Sequence, residues 1–162
     1  MKITGMNHAV LYVRNADRTA RFYEQVLGFK AVIRDEAGQF VFMRAPASQN
    51  HHDIAFFTVG ESAADSAAGS HSVGLYHIAW EVPTLSDLQD AMDGLSAAGA
   101  LAGSSDHGAN KSVYGKDPDG LEFEVMWLVP RQAWGEEERQ AIIRPLDLAA
   151  EQRRFPVTSG QA

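Results

Sequence analysis

Short runs of alternating apolar and polar residues are separated by stretches in which apolar positions recur at helical spacing. His8-Ala9-Val10-Leu11-Tyr12-Val13 reads as a strand, and the amphipathic stretch from Asp17 to Leu27 reads as a helix. The pattern then repeats. His77-Ile78-Ala79-Trp80-Glu81-Val82 is followed by a break at Pro83 and a helical stretch from Ser86 to Ala98. Ser86 is the expected N-cap, and Gly28 and Gly99 stand where the two helices should stop. Phe22, Val26 and Leu27 supply the expected apolar face of the first helix; Leu88, Met92 and Leu95 supply that of the second. Strand patterns follow at 31–34, 40–44 and 53–59 in the first half, and at 101–104, 112–114 and 121–129 in the second. Each half is predicted as β-α-β-β-β, which makes the chain α+β and built from two copies of one unit.

Residues 60–73 are rich in Ala, Ser and Gly without an apolar period, so they are expected to link module one (1–59) to module two (74–129). Together 1–129 form the expected domain, and 130–162 a charged C-terminal extension with a short helical pattern near 136–143. The extension is expected to cover a sheet edge or a partner subunit, with its last residues frayed.

Composition narrows the function. Of 162 residues, 14 are Lys or Arg and 21 Asp or Glu, a formal charge of −7 that argues against nucleic acid or an anionic membrane as partner. With no cysteine, zinc fingers, Fe–S clusters and thiol nucleophiles are excluded. No apolar run approaches membrane-spanning length and the start lacks a signal-peptide pattern, so a cytoplasmic protein is expected.

Strand parity sets the faces. Ile78, Trp80 and Val82 should pack on the helix, leaving His77, Ala79 and Glu81 on the opposite, concave face. In 121–129, Phe123, Val125 and Trp127 oppose Glu122, Glu124 and Met126. A carboxylate at Glu124, inside so apolar a strand, needs a partner if buried. Asp117-Pro118-Asp119-Gly120 is a turn signal: a type I turn followed by a glycine bulge closes a three-residue hairpin loop. Counting back from it sets Tyr114 directly across from Glu124, on the concave side.

His8, His77 and Glu124 are thus ligand-type residues at matching places in a duplicated unit. A lone strand histidine is usually structural; the joint placement favours a two-His, one-carboxylate facial triad, which suits non-haem Fe(II) with open coordination positions. On these residues, over about 6–129, the sequence resembles the vicinal oxygen chelate superfamily: glyoxalases, bleomycin-resistance proteins, fosfomycin-resistance enzymes and extradiol dioxygenases. The resemblance implies paired βαβββ modules forming a cupped mixed sheet around a metal held by His8, His77 and Glu124, the last glutamate of Asp-Pro-Asp-Gly-Leu-Glu-Phe-Glu.

Asn50-His51-His52-Asp53-Ile54-Ala55-Phe56 is similar to the His-His-x-x-Ala-Phe segment of extradiol enzymes, which implies that His52 is the acid–base residue. The run from Asp106 to Tyr114 is similar to the substrate-binding segment of catechol 2,3-dioxygenases, which implies substrate contacts for His107 and Tyr114. His51 and His71 are left as solvated or structural, and Met126, Phe56, Met43 and Trp80 are undivided between pocket wall and core. The leading expectation is Fe(II)-dependent extradiol cleavage of a catechol with O2 as co-substrate; Mn(II) suits the same ligands. A glyoxalase-like isomerase or thiol transferase would want a fourth ligand on 53–59, where no Glu or Gln lies and Asp53 points opposite to His52 on strand parity. A drug-binding resistance protein would need no metal ligands. A homodimer or higher homo-oligomer is expected by resemblance.

Overall fold

The computed structural model describes residues 1–156; the expected fraying of the final residues lies outside them. The chain divides into two compact units, Met1–Ser66 with Asp117–Gly120, and Ala67–Lys116 with Leu121–Ala162.

In the first unit, β1 (Ala9–Val13), α1 (Ala16–Leu27), β2 (Lys30–Arg34), β3 (Phe40–Arg44) and β4 (Ile54–Thr58) follow in chain order. The sheet order is β1-β4-β3-β2, with β1 parallel to β4 and the other pairs antiparallel. Asn15 caps α1 by accepting the Arg18 N–H at 2.9 Å. At the other end Gly28 adopts φ 69°, and the Phe29 N–H returns to the Tyr23 carbonyl at 3.2 Å. The buried stripe of α1 is Ala16, Thr19, Ala20 and Tyr23, not the expected trio of Phe22, Val26 and Leu27, which stay half-buried. Small residues let a helix lie close to a sheet. The core beneath is Val13, Val41, Met43, Ile54 and Phe56.

The second unit repeats the order: β5 (His77–Glu81), α2 (Leu85–Ala97), β6 (Leu101–Asp106), β7 (Asn110–Lys116) and β8 (Glu122–Leu128), with sheet order β5-β8-β7-β6. Each unit is therefore one βαβββ module. Thr84, not Ser86, caps α2, accepting the Asp87 N–H at 3.1 Å: the extended backbone at Thr84 leaves its hydroxyl facing the first turn. Leu85, Leu88, Ala91 and Leu95 of α2 are buried, as are Val113, Phe123, Val125 and Trp127 of the sheet. Gly115 permits this closeness, since a Cβ there would fall 2.7 Å from Leu95 and 2.6 Å from Phe123.

The extension belongs to this second unit. The helical pattern near 136–143 forms only short 3-10 turns, Arg131–Ala133 and Gly135–Arg139. A helix absent from the expectations, α3 (Leu148–Arg154), packs near α2, with Leu148 buried and Phe155 5.3 Å from Trp127. Arg144 pairs with Asp106, at the end of edge strand β6, in an antiparallel bridge.

Candidate functional site

The β7–β8 hairpin has the register that the turn implies. The Gly120 N–H reaches the Asp117 carbonyl at 2.9 Å, Gly120 has φ 80°, and Tyr114 pairs with Glu124. In the parallel β5–β8 ladder Ala79 pairs with Glu124 and His77 with Glu122. One face of this sheet therefore carries His77, Ala79, Glu81, Ser112, Tyr114, Glu122, Glu124 and Met126. Trp80, Phe123 and Val125 share the other.

Glu124 is only 7% exposed. Its Oε2 lies 3.1 Å from His77 Nε2, and its Oε1 is 3.5 Å from Asn110 Nδ2. Two donors bound side by side to one cation at roughly 2.1 Å each stand about 3 Å apart, so this spacing fits adjacent ligands of a first-row metal. His77 Nδ1 is buried without a hydrogen-bond partner and lies 4.0 Å from Glu122 Oε1. Metal-bound imidazoles usually direct their second nitrogen to a carboxylate; Glu122 is a carboxylate on that side, short of hydrogen-bond contact at 4.0 Å. The sequence reading had no role for Glu122.

Tyr114 and His107 form one hydrogen-bonded pair, hydroxyl to Nε2 at 2.7 Å. His107 Nδ1 lies 2.7 Å from the Ile142 carbonyl oxygen. A carbonyl only accepts, so Nδ1 carries the proton and, in the neutral ring, Nε2 accepts from Tyr114. Burial pushes the Tyr114 pKa up and the Glu124 carboxylate adds to the rise, against a hydrogen bond from Ser112 that lowers it. The phenol therefore keeps its proton at neutral pH.

In the first unit His8 is exposed just before β1, and its Nδ1 donates to Asn7 Oδ1 at 2.8 Å, which leaves Nε2 as the nitrogen with a free lone pair. Asn50 Nδ2 donates to the Asn7 carbonyl at 3.0 Å and to Asp53 Oδ1 at 2.8 Å. Asp53 also accepts from Ala45 N and from Ser48 Oγ. Burial alone would raise its pKa, but these donors hold the carboxyl below the ordinary range. Asp53 is thus occupied in tethering the loop that carries His52. That Asn7–Asn50–Asp53 chain lies in loops, where no periodicity could reveal it.

The His52 ring lies 4.4 Å from the His8 ring, tilted 41° to it, and meets Phe42 edge-on at 4.9 Å. Burial lowers its pKa, and His8 and His51 lower it further. His51, read as solvated or structural, shares a hydrogen bond with His52, Nδ1 to Nδ1 at 3.0 Å. Phe42 packs on Phe57 at 6.0 Å, so an aromatic surface lies beside His52. Met43 and Phe56 are wholly buried on the helix side of this sheet and belong to the core, whereas Met126 is half-buried on the Glu124 face. His71 is exposed beside the bridge of Ala68 with Ser72.

The structure thus brings together His77 with Glu124, Tyr114 with His107, and His8 with His52. Among the described residues no group of three or more His, Asp and Glu side chains is gathered as a metal cluster.

A sequence profile of the glyoxalase/bleomycin resistance protein/dioxygenase superfamily matches residues 5–125. The chain belongs to this superfamily. Its superfamily relatives include a catechol-2,3-dioxygenase of Bacillus subtilis, 26% identical over 131 residues, covering 81% of this chain and 44% of the relative. A biphenyl-2,3-diol 1,2-dioxygenase of Paraburkholderia xenovorans is 29% identical, over 76% of this chain and 41% of its own. The chain spans less than half the length of either. A solved superfamily structure, the glyoxylase/bleomycin resistance protein/dioxygenase domain from Frankia sp. EAN1pec, shares the fold with TM-score 0.68 at 22% identity, over 79% of this chain and 100% of that one. Among the described residues no helix is long and apolar enough to cross a membrane.

Proposed function

We propose that this protein is an Fe(II)-dependent extradiol dioxygenase, which opens a catechol ring beside the diol and places both atoms of O2 in the product. His8, His77 and Glu124 are the ligand set of this reading, and Mn(II) would suit the same donors. The observation that carries it is the 3.1 Å spacing of the His77 and Glu124 donor atoms, on the face where Tyr114 sits across from Glu124 with its hydroxyl on His107. The similarity to two ring-cleaving dioxygenases supports the choice of chemistry.

When bound, the ferrous ion supplies chelation of the two vicinal oxygens and an electron path from ring to O2. The remaining work belongs to side chains. His52, neutral because burial and two neighbouring imidazoles oppose its charge, takes a proton from a catechol hydroxyl and returns it to an oxygen of the product. Tyr114 holds a substrate oxygen, and His107, with both ring nitrogens engaged by Ile142 and Tyr114, orients the Tyr114 hydroxyl. Phe42 and Phe57 offer an aromatic surface against which a flat ring can lie. Asp53 accepts from three donors within its own loop, which supports a tethering role for it over that of a fourth ligand in a glyoxalase-like site.

Aerobic incubation of the Fe(II)-loaded protein with a panel of substituted catechols tests the reading. A yellow ring-fission product supports it. Absence of colour, with turnover of thiol adducts under Ni(II) or Zn(II), replaces it with the isomerase or transferase alternative.

A further inference from the structure

The C-terminal extension makes a set of directed contacts with the turn that carries His107. The Asp106 N–H donates to the Arg144 carbonyl at 2.9 Å, and the Arg144 N–H returns to the Asp106 carbonyl at 3.0 Å. Arg144 Nε donates to Asp106 Oδ2 at 3.2 Å and Nη2 to Glu137 Oε1 at 2.9 Å. Glu137 lies so near Gly108 that a Cβ there would fall 3.0 Å from it. Lys111, wholly buried, bridges Asp106 to Glu151 of α3 and donates to the Gly108 carbonyl at 3.2 Å. Between these anchors the Ile142 carbonyl meets His107 Nδ1.

We propose that the segment holding Ile142 and Arg144 is a positioning part of the site, setting the direction of the hydrogen bond between Tyr114 and His107. A backbone carbonyl has no proton to give. While Ile142 holds its place, His107 must carry hydrogen on Nδ1 and present a bare Nε2. Tyr114 then spends its only proton on His107, and its oxygen, which already takes a hydrogen bond from Ser112, offers its second lone pair to the substrate as an acceptor. On the catechol reading above, on which this inference rests, such an oxygen receives the hydroxyl that stays protonated in a bound monoanion. Without the Ile142 contact the other imidazole tautomer becomes available, and Tyr114 turns into a donor that no longer favours that hydroxyl. Arg144 is the positioning residue, because its side-chain bonds to Asp106 and Glu137 hold in place the segment that presents the Ile142 carbonyl.

The test is Arg144→Ala, with Arg144→Lys as the conservative variant. The Arg144 side chain is 47% exposed, so both changes leave the core untouched. Long-range proton–nitrogen NMR of metal-free protein reads the His107 tautomer without any turnover. Wild type is expected to show the Nδ1–H form; Arg144→Ala is expected to show a mixture, and Arg144→Lys mostly the wild-type form. In the Fe(II)-loaded protein the Kd of 4-nitrocatechol should rise about tenfold in Arg144→Ala, the size of one lost hydrogen bond. An Nε2–H tautomer in wild type overturns the proposal, as do an unchanged tautomer and Kd in Arg144→Ala. If the tautomer shifts as expected while wild type cleaves no catechol, the dioxygenase reading fails and the role of Arg144 stands.

Discussion

The Nε2 atom of His77 lies 3.1 Å from Oε2 of Glu124, on parallel neighbouring strands whose register pairs His77 with Glu122. Two side chains that begin two residues apart along β8 thus meet one imidazole, Glu124 at the nitrogen that would ligate and Glu122 nearer the other. Glu122→Gln is expected to weaken Fe(II) affinity about tenfold, the usual cost of losing the carboxylate behind a ligating histidine. Anaerobic calorimetric titration measures it. An affinity equal to wild type would remove Glu122 from the site.

His52 should separate chemistry from metal binding. His52→Ala is expected to keep one equivalent of iron and lose about 10²- to 10⁴-fold in kcat, the range of a missing acid–base group. Single-turnover kinetics with bound metal measured in parallel decides this. Normal cleavage by His52→Ala would assign the proton transfer elsewhere.

Gly115 sits where α2 meets the sheet of the second unit. Gly115→Ala places a methyl group 2.6 Å from Phe123 and 2.7 Å from Leu95, and is expected to destabilise by about 1–3 kcal/mol through overpacking. Urea unfolding reads the change, and an unaltered midpoint would mean that α2 moves freely away.

Acid should loosen the chain through Asp53 and Asp106. Burial alone would raise both carboxyls; donors outweigh it, Ala45, Ser48 and Asn50 for Asp53, and Lys111 and Gly108 for Asp106. Both native pKa values are therefore below the unfolded ones, and below about pH 4 the unfolded chain binds more protons. The stability they give is present above that pH and is lost as pH falls through the native values. Asp53→Asn should flatten this acid slope in urea melts between about pH 5 and pH 3; a slope identical to wild type would contradict the assignment.

The parts legible in the sequence were those governed by short-range rules. Alternation separated His77 from Trp80 on β5, and the Asp117–Gly120 turn fixed the hairpin register so firmly that Tyr114 could be set opposite Glu124. On α1 apolar size points to Phe22, Val26 and Leu27, whereas the close approach to the sheet selects Ala16 and Ala20. At the start of α2, Thr84 and Ser86 both carry a capping hydroxyl, and only the extended backbone at Thr84 chooses between them. Contacts such as His107 with the Ile142 carbonyl, or Asn50 with Asn7, join backbone and loop groups far apart in the chain and leave no periodic trace.

The most direct measurement is the stoichiometry of Fe(II) under anaerobic conditions, in wild type and in His8→Ala, His77→Ala and Glu124→Ala. One equivalent is expected in wild type, with affinity lowered more than about 100-fold in each variant, beyond what loss of an outer-sphere partner causes. A wild-type protein that takes up no iron, or any of the three variants binding it as wild type does, would contradict the assignment of these residues as the ligands of one cation.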